Sequence, residues 1–201
     1  MKPIYLNGGA ALYLDQTHAV VHGPLDHQLC NCLLALLTAG VCPPELVLHE
    51  ASGTVEDAYL LLNSMGTIGV RAAGRVRGAA ALLTFCGAPG RRWADPDAQF
   101  ELTVDDLGGP SPGRSGVALG DMAAGRAAWA RAFALRSLTV YLMRQQGLDA
   151  VHAMDLAEQG IVLDAAAAMT AGHVDGLAKV DIVFPSVSRG WSFDLPCARP
   201  A

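Results

Sequence analysis

The chain has 201 residues, 52% apolar and 16% charged, with a formal charge of −5. That length suits one domain with a full core, and the acidic balance with scattered basic residues argues against nucleic acid as a partner. Apolar residues exceed and charged residues fall short of the roughly 45–50% and 25% of an ordinary soluble domain, a surplus that points to self-association; yet every apolar run is interrupted before the roughly 18 residues of a membrane span.

In chain order, the opening MKPIYLNGGAALYLDQTH places Asn and two glycines where a signal peptide carries an unbroken apolar core, so a cytoplasmic protein is expected. After this short extended start, Ala19-Val20-Val21-His22 reads as a strand, and Gly23-Pro24-Leu25-Asp26 as a turn whose Asp26 can cap a helix. That helix is predicted over residues 27–39, with Leu29, Leu33, Leu36 and Leu37 on one face and Gly40 at its end. Pro43-Pro44 precedes a second strand, Leu46-Val47-Leu48-His49, and the polar turn Glu50-Ala51-Ser52-Gly53 leads to Thr54, a cap for a helix ending near Met65. The cycle repeats with a strand over 67–73, a turn over 74–78 and an Ala/Leu helix ending near Gly87. Strand–helix alternation with short links indicates an α/β fold.

Trp93 and residues 100–104 look like further strand pieces, followed by a Gly/Pro/Ser-rich stretch over 108–116. The longest helix is predicted over residues 118–146. At 1.5 Å per residue it is about 43 Å long, against a radius of gyration of roughly 13 Å for a 100-residue domain. It should therefore project from the body or lie along its edge. Two short helices, over 149–158 and 165–171, precede a terminal strand over 180–184 and an irregular tail.

Several short pieces recur at telling intervals: Val21-His22-Gly23-Pro24-Leu25-Asp26, Glu50-Ala51-Ser52-Gly53-Thr54-Val55, Gly87-Ala88-Pro89-Gly90-Arg91-Arg92, Ala94-Asp95-Pro96-Asp97-Ala98, Leu107-Gly108-Gly109 before the long helix, and Gly172-His173-Val174-Asp175. Their order and spacing, over roughly residues 19–178, resemble the proteolytic subunit of the Clp protease, ClpP, within the ClpP/crotonase superfamily. The resemblance implies a single domain over 1–201 with the family's β/β/α spiral, a handle region around 105–146 and a tail over 179–201.

It also implies where the family's Ser-His-Asp triad should lie. The nucleophile segment corresponds to Gly74-Arg75-Val76-Arg77-Gly78-Ala79-Ala80, which puts Gly78 at the serine, Thr103 at the histidine and Gly160 at the acid. An activated hydroxyl needs an oxygen nucleophile, an imidazole and an orienting carboxylate, and these positions supply none of that set. Shifting the register by one residue brings in only Arg77, Ala79, Leu102, Val104 or Gln159. Of the oxyanion hole, Gly53 and the backbone N–H of Ala79 remain as candidates. Serine proteolysis by the family mechanism is not expected.

Other groups could support a different reaction in the same cleft. Crotonase-type relatives move protons with one or two carboxylates. Here Glu50 precedes the oxyanion-type loop, Asp105 and Asp106 follow the histidine position, and Asp155 and Glu158 flank the acid position; solvated or capping carboxylates are the plainer reading. His49 at a strand end and His152 near the third triad position are candidate bases. Ser52 reads as a turn hydroxyl and Cys86 as a small core residue. The five cysteines form no CxxC pair and Cys30 and Cys32 face different sides of a helix, so neither a disulfide framework nor a metal site is expected. Arg75 and Arg77 precede a helix start, where cations oppose the macrodipole unless they meet an anion or an acidic neighbour.

The resemblance thus predicts a ClpP-like protein without the triad, a ring-forming or regulatory subunit assembling with itself or with an active homologue, and needing no cofactor. A crotonase-like enzyme acting on an acyl or peptide-derived substrate is the alternative. Much of the apolar surplus falls in the alanine-rich part of the long helix, where small side chains permit close approach of a neighbour.

Overall fold

Strands whose residues alternate between two apolar faces dominate the first half of the chain, and they gather into one mixed sheet. The computed structural model describes residues 2–7, 9–108 and 120–179. Strand β1 (Lys2–Asn7), β2 (Ala10–Leu14) and β3 (His18–Leu25) form an antiparallel meander. β4 (Glu45–Gly53), β5 (Gly69–Ala73), β7 (Arg92–Ala94) and β10 (Gly176–Leu177) then add in parallel, giving a seven-stranded sheet in the order β1-β2-β3-β4-β5-β7-β10. A second sheet of three strands, β6 (Arg75–Arg77), β8 (Gln99–Leu102) and β9 (Ile161–Asp164), has the order β6-β8-β9. The α/β class expected from the sequence is the class observed.

Several local expectations are corrected. The extended start is a hairpin whose edge strand β1 carries Pro3 and a register shift between Pro3 and Tyr5. The turn expected at 23–25 is the end of β3, and the turn expected over 74–78 contains β6. β9, β10 and the short helix α4 (Val104–Gly108) have no counterpart among the predicted elements. The predicted terminal strand over 180–184, and the Gly/Pro/Ser-rich stretch apart from Gly108, lie outside the described residues.

The helices follow their caps. Asp26 accepts from Leu29 N at 2.8 Å and starts α1 (His27–Thr38), while Thr54 starts α2 (Val55–Leu62) by accepting from Asp57 N. The Tyr5 hydroxyl donates to the Asp26 carboxylate at 2.8 Å, tying β1 to the start of α1, and burial pushes that phenol up to about 12. Asp26→Ala is expected to cost about 2 kcal/mol, because it removes a cap together with the shortest bond of the Tyr5 hydroxyl, which keeps only Asn7 and a longer contact to Gln28. Chemical denaturation checks this; Tyr5→Phe should cost less, since the cap survives.

α3 (Ala79–Phe85) sits between the two sheets with all of its residues buried. Its three leading alanines let both backbones approach, and Phe85 then packs against Phe100 of β8 with ring centroids 5.0 Å apart and planes tilted by 47°. α5 (Gly120–Gln146) buries Ala134, Leu138, Tyr141 and Leu142 in the body, whereas Arg126, Ala127, Ala128 and Trp129 are exposed. α6 (Ala150–Gln159) and α7 (Ala165–Thr170) complete the fold.

Candidate functional site

Gly78 joins β6 to α3 with φ 57° and ψ −128°, a conformation that residues with a side chain rarely adopt. Its N–H donates to the Glu101 carbonyl at 2.8 Å. A Cβ built on Gly78 would lie 2.4 Å from the Gly53 carbonyl oxygen and 3.0 Å from that of Asp106. Thr103, at the end of β8, donates to Asp106 Oδ2 at 2.7 Å and accepts from Asp106 N at 3.0 Å, which caps α4. Gly160, with φ 78° at the end of α6, would place a Cβ 3.2 Å from Thr103 Cγ2.

Gly78, Thr103 and Gly160 therefore converge on the start of α4 from three separate stretches of chain. The groups they bring are backbone, one hydroxyl and a carboxylate that the hydroxyl already engages. The Gly53 carbonyl, aimed at Gly78, fills the space a nucleophile's side chain would need, and Ala79 follows inside buried α3.

The acid/base candidates occupy different surroundings. Asp105 is exposed and ion-paired with Arg131 of α5, while Asp106 serves the α4 cap. His152 is exposed on α6 and bonded to Asp149, whose carboxylate raises its pKa. Asp155 is exposed on the same helix, and Ser52 lies within β4. Glu50 adopts φ 47° and lays its carboxylate across Gly74, where a Cβ would come within 2.1 Å of Oε1. Only glycine at 74 leaves room for it.

Arg75 and Arg77 form the outer residues of β6, which runs directly into the Gly78 cap of α3, so they do precede a helix start. Arg75 bonds Glu101 of β8 at 2.6 Å, so its acidic neighbour is supplied by its own chain. Cys86 is half-buried at the end of α3, and Cys30, Cys32, Cys42 and Cys86 are free thiols.

The pairing of β3 with β4 creates one cluster that sequence reasoning missed. His22 and His49 are register partners in the middle of their strands, β4 continuing past the expected strand end at His49 to Gly53, with Nδ1 atoms 2.9 Å apart and ring centroids 5.1 Å apart. Such a contact holds one proton between the two nitrogens, so one ring donates and the other accepts. Burial first, then the adjacent His22, push the His49 pKa down, against the opposing fields of Glu50 and Asp95. The signal was present in two strands that share a pattern, Ala19-Val20-Val21-His22 and Leu46-Val47-Leu48-His49, which parallel pairing in register brings side by side. Among the described residues, no group of three His, Cys, Asp or Glu side chains is placed to hold a metal ion.

These features define a mixed α/β protein whose described helices include none long and apolar enough to cross a membrane. Neither the protein families nor the curated proteins compared with the chain give a match.

Proposed function

We propose that the chain is a ClpP-like member of the ClpP/crotonase superfamily that lacks peptidase chemistry and acts in the cytoplasm as a ring-forming or regulatory subunit, with itself or with an active ClpP-like partner. The carrying observation is the backbone at Gly78. It has the strained strand-to-helix conformation of a nucleophile elbow, yet the Gly53 carbonyl stands 2.4 Å from where a side chain would begin. The convergence of Thr103 and Gly160 beside it supports the same reading, as does the placement of buried α3 between two sheets. The long α5, exposed over Arg126–Trp129, supports assembly through a handle.

The purified protein should neither cleave peptides nor react with a serine-directed fluorophosphonate, and it should sediment as an oligomer. Labelling at any serine, or a strictly monomeric species at micromolar concentration, would sink the proposal. A charge on the exposed helix, in Ala128→Glu or Ala132→Glu, is expected to shift sedimentation toward monomer while leaving the circular dichroism melt unchanged.

One observation favours the alternative, a crotonase-like enzyme using acid/base groups on an acyl or peptide-derived substrate. Glu50 is held in a strained conformation beside His49 and its partner His22, and strain of this kind gathers at functional sites. Acyl-thioester turnover would then rise with pH below about 6.5 as His49 loses its proton, and Glu50→Ala would abolish it. Turnover unchanged in both Glu50→Ala and Asp105→Ala excludes the enzyme.

A further inference from the structure

Between α2, α3 and α5 lies an open cavity of about 550 Å³, within the range of roughly 300–1,000 Å³ typical of ligand sites. Its walls are apolar where the helices face each other, at Val55, Tyr59 and Leu62 of α2 and Phe133, Val140 and Tyr141 of α5. Cys86 contributes to its floor, and burial pushes that thiol up to about 11, so the floor is uncharged at neutral pH.

The rim is different. Arg136, Val140 and Arg144 fall at successive intervals of four on α5 and share one face, which spaces the two guanidinium-bearing residues about 12 Å apart along the axis. Both line the cavity, and no acidic residue does. Earlier on the same helix Arg126 pairs with Glu56 and Arg131 with Asp105. Among the described residues, Arg136 and Arg144 have no ion-pair partner. An apolar groove with a free cation toward each end suits an elongated partner carrying two negative charges. A single-headed acyl anion would satisfy one arginine and leave its chain against an open wall, where Tyr59 is 49% exposed.

We propose that this groove seats an amphipathic acidic helix from a partner polypeptide, apolar side chains lying over Phe133 and Val140 and two carboxylates bonding Arg136 and Arg144. The site shares no residue with the Gly78–Thr103–Gly160 cluster, so the proposal stands independently of the ClpP-like role.

The test is fluorescence anisotropy of the full chain with a labelled helical peptide bearing leucines on one face and two glutamates about two turns apart. Saturable binding is expected, weakened about tenfold or more in the Arg136→Glu, Arg144→Glu double variant. Replacing the peptide's glutamates with lysines should restore binding to that double variant, which also shows that it remains folded. The proposal is overturned by no saturable binding, by equal binding to both proteins, or by displacement of the peptide with dodecanoate at lower concentration than with unlabelled peptide. It is equally overturned if the double variant alters sedimentation, since a second copy of the chain would then occupy the groove.

Discussion

Gly78→Ser is expected to destabilise the protein by about 2–4 kcal/mol and to yield no peptidase, because the substitution adds both a forbidden backbone conformation and an overpacked atom. The Cβ meets the Gly53 carbonyl at 2.4 Å, a backbone atom of β4 that has no rotamer through which to withdraw. Gly78→Ala should cost nearly as much, since the damage begins at Cβ rather than at the hydroxyl. If the proposed ClpP-like reading holds, even a serine accommodated by shifting β4 would find Thr103 where an imidazole is needed and Gly160 where a carboxylate is needed. Chemical denaturation and fluorophosphonate labelling check the two halves of the expectation. A Gly78→Ser protein within about 0.5 kcal/mol of the parent, or one that reacts with the probe, would show that there is room for a side chain at this position.

The second large effect is expected at His173. This ring is 2% exposed, stacks on Phe85 at 4.6 Å and lies 2.7 Å from the Tyr141 hydroxyl and 3.1 Å from Gln146 Nε2. An amide N–H can only donate, so Nε2 accepts from Gln146, and the single proton of the neutral ring sits on Nδ1 and donates to Tyr141. Burial first, and the nearby Arg92 charge second, hold the imidazole below its ordinary pKa. The folded state thus binds fewer protons than the unfolded chain. The resulting stability is present above the unfolded pKa near 6.5 and declines as pH falls below it, by up to about 1.4 kcal/mol per pH unit. His173→Ala should cost about 2–4 kcal/mol at pH 7.5 by opening a cavity and leaving a buried hydroxyl unpaired. It should also flatten the fall of melting temperature between pH 6.5 and 5. Because His49 titrates in the same direction, the slope of the variant, not its disappearance, is the readout. An identical slope in parent and variant would remove His173 as the acid-sensitive group.

The first half of the fold is legible because its boundaries are chemical. Asp26 and Thr54 are side chains with one good use at a helix start, and both act there. β6, β9 and β10 are two to four residues long, too short to carry a period, and each exists because a partner strand is already in place. Missing β6 also hid the Arg75–Glu101 bond, which needs β6 and β8 side by side. The same limit separated His22 from His49, since each reads alone as a strand-end imidazole until the parallel register is known. The resemblance led to Gly78, Thr103 and Gly160, but the Gly53 carbonyl that stands against Gly78 is backbone, and a sequence does not spell where a carbonyl points.

The irregular edge strand β1 has a wider consequence. Sheets grow by offering unpaired N–H and C=O groups to another chain, and the hazard of that chemistry is uncontrolled stacking into fibres. Pro3 has no N–H to offer, and the register shift beside it breaks the straight ladder that an incoming strand would need. Concentrated chains are therefore discouraged from joining edge to edge on this side of the sheet, whatever other surfaces they offer one another.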